Sequence, residues 1–363
     1  MPASIAHMVI AHKALQWLEH SDTEGLAAFA KMLDDKDGLY QAYMNLGSIG
    51  PDLYYYANMA QSAKDMLLDG FVQATGVTPW SYHLHSCRPN EFPLNLCAVL
   101  FSDMVWDGDD IVLDDDDMRK LAYIAGHLTH IAADQIIHPL VNRIAKPYYR
   151  DGKNRKKHRE CEVFQDYFLY EEVYRAERQK RRGRARDKYD FFAQDFNKWV
   201  DCIPKRTTTR NTEEWFRYFL QRGFVETHGT FPAEELIESS ADNLLLVLRT
   251  CKLFGPYKKA AQDYDRHGAD SKMYREYILE SDYMSHYEQA VHLSAVYITA
   301  LYEVYEVLRA GGDFAERKQR FLSIVSAADL SCPLQRDLLD KACATLSDND
   351  HGGARYATVF AKA

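Results

Sequence analysis

His130, Asp134 and His138 stand four residues apart in RKLAYIAGHLTHIAADQIIH, residues 119–138, where apolar residues otherwise recur every three or four positions. At 3.6 residues per turn this spacing puts all three on one helical stripe. Burying a His, an Asp and a His on an apolar helix face is costly unless something satisfies them. A divalent metal does so, because imidazole and carboxylate are ordinary zinc ligands. A second i, i+4 pair follows in KKHRECE, His158 and Glu162, with Asp166 one further turn along. Five potential ligands on two neighbouring helices at one spacing point to a metal site rather than to separate hydrogen-bonded histidines. Nine of the fourteen histidines precede residue 159, which concentrates this chemistry in the first half of the chain.

The remaining pattern is helical nearly throughout. Amphipathic stretches run over about 5–19, 157–182, 187–201, 211–228, 232–254, 270–309, 313–327 and 332–346, and the histidine helix is expected to stop at Pro139. The single strand-like segment, Ile111–Leu113, is short and flanked by acidic clusters, so the chain reads as all-α. Asp107, Asp109, Asp110 and Asp114–Asp117 form an acidic run ahead of the histidine helix. It reads as a solvated connection ending in a helix cap, since it lacks the central Gly and the terminal Glu of a calcium loop. The basic run from Arg175 to Lys188 reads as a solvated helix end, with attraction for phosphate or lipid headgroups as the alternative. No Pro-, Gly- or Ser-rich linker divides the chain. The expected organisation is a catalytic domain over 1–310 and a helical extension over 311–363, after Gly311-Gly312.

A 363-residue chain that is 47% hydrophobic and 13% aromatic can drive its own collapse, which excludes a disordered protein. No apolar run reaches the roughly 20 residues that span a bilayer. The first twenty residues lack the basic, apolar and small-residue regions of a signal peptide, so a cytoplasmic location is expected. A net charge of −9 argues against a stable nucleic-acid partner, which would call for a basic surface. Seven cysteines, an odd number with no CxxC pair, are expected to be reduced and mostly buried.

Further candidates lie upstream. Asp52 follows Gly50 and Pro51 in LGSIGPDLYYY, a loop able to aim its carboxylate inward, although a lone Asp there is also an ordinary cap. His83 and His85 share SYHLHSC, and in an extended segment both would face one side. His7 and His12 fall in the first helix. Taken in order, SIAHMVIAHKAL, GSIGPDLYYY, the HLH, GHLTHIAADQIIHP and HRECEVFQD resemble the superfamily of zinc-dependent phospholipases C and fungal single-strand-specific nucleases. The amino-terminal motif also resembles that of glycosylphosphatidylinositol-specific phospholipase D. These motifs cover about residues 2–170.

The resemblance implies three zinc ions in the cleft of an all-helical domain. Asp52, His85, His130 and Asp134 would hold one, and His138, His158 and Glu162 the second. The third would be held by His7, by Asp134 as a bridge, and by the amino-terminal residue. Pro2 is that residue once Met1 is trimmed, five positions before His7 as in the family. His85 is preferred to His83 for its offset from the next helix, near Phe92. His127 and His12 are expected to support the site or the fold, and Asp166 to fix a ligand histidine. The other histidines default to ordinary roles.

The implied reaction is hydrolysis of a phosphate ester by a water activated between two zinc ions, with Asp52 orienting or deprotonating that water. A phospholipid headgroup is the leading substrate class, with Tyr54, Tyr55, Tyr56, Trp80 and Phe92 as rim aromatics or, more plainly, as core. Single-strand nuclease-like or small-molecule phosphodiesterase activity is the alternative. A non-catalytic helical binding protein stabilised by zinc is the reading from a different class.

Overall fold

A computed structural model describes residues 4–34, 39–54, 80–102, 111–146, 152–175, 210–234 and 256–327, with a few positions between 236 and 243. Every regular element among the described residues is helical: α1 (Ser4–Leu18), α2 (Glu24–Leu33), α3 (Leu39–Ser48), the single turn α4 (Gly50–Leu53), α5 (Trp80–Ser86), α6 (Glu91–Ser102), α7 (Asp115–Ala145), α8 (Gly152–Phe168), α9 (Arg210–His228), α10 (Pro256–His267), α11 (Tyr283–Arg309) and α12 (Phe314–Ile324). The protein is all-α, as its periodicity indicates. Ile111–Leu113 is irregular, its edge tied by the Ile111 N–H donating to the Arg309 carbonyl. The stretches expected at 187–201 and 332–346, most of 232–254 and most of the basic run lie outside the described residues.

The histidine helix α7 is the centre of the molecule. Its start follows from the acidic run: the Asp114 carboxylate accepts the Asp117 N–H at 2.9 Å, and Asp115, Asp116 and Asp117 occupy the first turn, where the helix dipole favours negative charge. Nearly every residue from Met118 to Asp134 is buried, because α3, α6, α8 and α11 pack around the helix. Pro139 does not end it. The helix runs on to Ala145, although a proline inside a helix costs ~3 kcal/mol. Beyond the proline, Leu140, Val141 and Ala145 are buried, and two large apolar side chains at ~1.5–3 kcal/mol each offset that cost.

Two glycines bring α3 against α7. A Cβ at Gly126 would lie 2.1 Å from the Met44 carbonyl oxygen, and one at Gly47 would lie 2.1 Å from that of Tyr123. Backbone meets backbone at this crossing, which places the Ser48 carbonyl beside His130.

The expected 270–309 helix is broken. A π-helical turn, Arg275–Leu279, precedes Asp282, whose left-handed backbone (φ 56°) turns the chain into α11. Asp tolerates that conformation better than most residues. The expected 157–182 helix likewise gives way after α8 to a π-helical turn, Leu169–Arg175. α12 folds back onto the core, with Phe321 and Val325 buried and the Asn90 side-chain amide donating to the Val325 carbonyl at 2.8 Å. No helix among the described residues is long and apolar enough to cross a membrane. Cys97 and Cys161 are free and buried, but Cys87 is disulfide-bonded, which corrects the expectation of reduced thiols throughout.

Candidate metal centre

Five elements deliver side chains to one region beside α7. Asp52 comes from α4, where Pro51 fits the first turn. His85 comes from α5, His158 and Glu162 from α8, and His7 from α1. The stripe of α7 supplies His130, Asp134 and His138. Asp134 is almost fully buried, and both its oxygens are shared. Oδ2 lies 3.2 Å from His130 Nε2 and 3.5 Å from His85 Nε2, while Oδ1 lies 3.3 Å from His7 Nε2 and 3.5 Å from His138 Nε2. Asp52 Oδ1 is 3.3 Å from His85 Nε2. Glu162 Oε1 is 3.0 Å from His158 Nε2 and 3.6 Å from His138 Nε2.

Three groups could each hold a metal ion: Asp52, His85 and His130; His7, His130 and Asp134; and His138, His158 and Glu162, with the ligand atoms of each within 4.8 Å of one another. The donor chemistry fits. His85 Nδ1 donates to the Ser81 carbonyl at 2.6 Å and His130 Nδ1 to the Ser48 carbonyl at 2.9 Å. A carbonyl only accepts, so each neutral ring keeps its proton on Nδ1 and turns its Nε2 lone pair inward. The two Nε2 atoms are 3.3 Å apart, with the Asp52 and Asp134 carboxylates beside them. Four acceptors facing one another repel unless a cation or extra protons come between them. Zinc with ligands at ~2.0–2.1 Å makes a tetrahedron whose edges are ~3.3 Å, which matches these separations. Asp52 Oδ2 and His7 Nδ1 are also buried without a hydrogen-bond partner.

Protonation shows the same demand for positive charge. Burial works against the His85 imidazolium, but Asp52 and Asp134 outweigh it and lift the ring to about 9. His7 is raised too, its burial overcome by Asp134. Burial disfavours ionised Asp134, yet His138 and His130 hold its carboxyl well below the usual range. Asp52 and Glu162 are lowered in the same way against their burial, chiefly by His130 and His85 and by His158 respectively. His130 moves down, because burial and the neighbouring His7 outweigh Asp134 and Asp52.

The structure thus brings together His7, Asp52, His85, His130, Asp134, His138, His158 and Glu162, while Pro2 lies outside the described residues. His83 is elsewhere. Residues 80–86 are helical rather than extended, so positions 83 and 85 point about 200° apart and only one faces α7. His83 packs instead on His228, with ring centroids 4.7 Å apart, and on Trp80. His12 is structural: its Nε2–H donates to Asn45 at 2.9 Å and its Nδ1 accepts from Gln41 at 3.1 Å. His127 is fully buried against Phe92 and belongs to none of the three groups. Tyr54, Trp80 and Phe92 surround Phe224 in the core rather than lining a rim, and Tyr55 and Tyr56 lie outside the described residues. Asp166 fixes no histidine side chain directly. Its carboxylate accepts the Ile5 and Ala6 backbone N–H groups at the start of α1. The carbonyl partners Ser81 and Ser48 escaped sequence reasoning, although Ser81 stands four residues before His85, where a helical histidine can reach back.

An all-helical protein whose central helix gathers three His/carboxylate groups around one shared Asp is of the helical multi-metal class. The family model for zinc dependent phospholipase C matches residues 6–210, more than half of the chain, and the chain belongs to that family. Its members are zinc-dependent hydrolases. No curated protein matches the chain, and no solved structure does.

Proposed function

We propose that the protein is a metal-dependent phosphoric ester hydrolase of phospholipase C type, acting on a phosphodiester such as a phospholipid headgroup. The observation that carries this reading is that the two oxygens of Asp134 lie within 3.5 Å of imidazoles from all three groups, with His130 a member of two of them, which supports several metal positions side by side. When bound there, zinc supplies Lewis acidity towards phosphoryl oxygens and lowers the pKa of water towards ~7.

The chain's own residues do the rest. Asp52, His85, His130 and Asp134 form the most buried set, and the carbonyls of Ser48 and Ser81 hold its two imidazoles in their Nε2-inward tautomers. Asp52 Oδ2, buried and without a hydrogen-bond partner, is our candidate to orient the attacking water or accept its proton. His138, His158 and Glu162 offer three ligands, and both histidines are partly exposed. Among the described residues this group offers three protein ligands, the number of a catalytic zinc site, whereas a structural zinc site takes four. That number favours catalysis over a purely structural role, and the partial exposure of His138 and His158 makes this group our candidate for the side from which substrate enters. Pro2, freed by loss of Met1, is our candidate to complete the set of His7 and Asp134. The burial of Tyr54, Trp80 and Phe92 removes them both as a rim for lipid and as stacking platforms for single-stranded nucleic acid, so the choice between these substrates falls to the assay.

The test is hydrolysis by the full chain of p-nitrophenyl phosphorylcholine and of phosphatidylcholine vesicles, beside single-stranded DNA. The expected result is headgroup release that a chelator abolishes and added zinc restores. Cleavage of DNA alone would overturn the substrate assignment, and no hydrolysis by zinc-loaded protein would overturn the enzymatic one.

A further inference from the structure

Asp166 belongs to none of the three metal groups, yet it is fully buried in the face of α8 that carries His158 and Glu162. Its Oδ1 accepts the Ala6 N–H at 2.8 Å and its Oδ2 the Ile5 N–H at 3.3 Å. The first N–H groups of a helix have no partner within the helix, and the dipole there favours an anion. A carboxylate 160 positions away in sequence thus caps α1 from another helix. The next residue along is His7, whose Nε2 reaches Asp134 Oδ1 at 3.3 Å and whose ring stacks on His130 with centroids 4.3 Å apart. Clamping two successive amides fixes both how far α1 slides along its axis and how it is rotated, the two variables that aim a side chain near a helix start. The four-residue stripe of α8 therefore has two functions. His158 and Glu162 face one metal group, and Asp166, a turn further, holds the helix that contributes to another.

We propose that Asp166 is the positioning residue that sets His7 for the His7–Asp134–His130 group, so that a residue outside that group controls its metal affinity. This inference rests on the metal reading of His7. Zinc per chain and competition with a chromophoric chelator would be measured on the full-length wild type and on His7→Ala, Asp166→Ala, Asp166→Asn and the double alanine variant, with helical content by circular dichroism. His7→Ala should lose one zinc. Asp166→Ala should lose the same ion, or bind it about 10- to 100-fold more weakly, the usual effect of removing a group that orients a ligand. The double variant should lose no more than His7→Ala alone. Asp166→Asn retains one acceptor for the Ala6 N–H and should recover part of the affinity, and it serves as the working variant if Asp166→Ala does not fold. A merely structural Asp166 would lower thermal stability and leave zinc content untouched, which would overturn the proposal. Equal zinc in wild type and His7→Ala would instead overturn the metal reading of His7.

Discussion

Asp134 concentrates the chemistry of the site in one side chain, since four imidazoles lie within 3.5 Å of its two oxygens. Asp134→Asn keeps the shape and removes the charge that His130 and His7 both use, so it should disturb two metal groups at once. Zinc content is expected to fall by more than one ion per chain, whereas His85→Ala should release only one. His83→Phe is the counterpart to His85→Ala. His83 packs on Trp80 and His228, so an aromatic replacement should leave zinc content and hydrolysis within about twofold of wild type. Residue spacing made His130, Asp134, His138, His158 and Glu162 legible, because i, i+4 pairs stay together in any helix. It could not choose between His83 and His85, because that choice depends on whether residues 80–86 are extended or helical. Tertiary packing decides this, and local pattern does not reveal it.

Among the elements, the crossing of α3 over α7 matters most, because it carries the Ser48 carbonyl to His130 Nδ1. Gly126→Ala would drive a methyl group into the Met44 carbonyl, which as backbone cannot rotate away. The helices must then separate, at ~1–3 kcal/mol for overpacking of this kind. Chemical denaturation should show that loss. Zinc affinity should fall about 10- to 100-fold as His130 loses its orienting acceptor. No sequence rule announced these glycines as a crossing point, since a glycine in a helical pattern is compatible with many contexts. Pro139 misled in the opposite direction: as a helix breaker it marked an end, but the buried face beyond it carries α7 through.

For the molecule as a whole, acid sensitivity should exceed what the metal groups alone produce. Burial lowers His12 and His83 to about 4 and puts His127 and His228 well below the ordinary value. In the unfolded chain each titrates near ~6.5. Between that pH and the depressed folded value, the unfolded state binds protons that the folded state refuses. The contribution of these four histidines is therefore complete above pH ~6.5 and falls as the pH drops, by about 1.4 kcal/mol per pH unit for each. His7 and His85, both raised, act in the opposite sense and lose stability as the pH climbs above that value. The contributions of Asp52, Asp134 and Glu162, whose folded pKa values are lowered, are lost only further down, below the usual carboxylate range. Urea midpoints of zinc-stripped protein between pH 7.5 and 5 would show the slope, and His228→Phe should reduce it by one histidine's share. The all-α class was legible in the period of the sequence. The return of α12 to the core was not, because Val325 and Asn90 meet across 235 positions.

The same central placement has a consequence in time. α7 is complete at Ala145, but α11, one of its main packing partners, begins only at Tyr283. At ~5–20 residues per second of synthesis, the metal-bearing helix waits on the order of ten seconds on the ribosome with one apolar flank uncovered. During that interval the first half of the chain, which carries every candidate ligand, presents an apolar flank of the kind that chaperones cover.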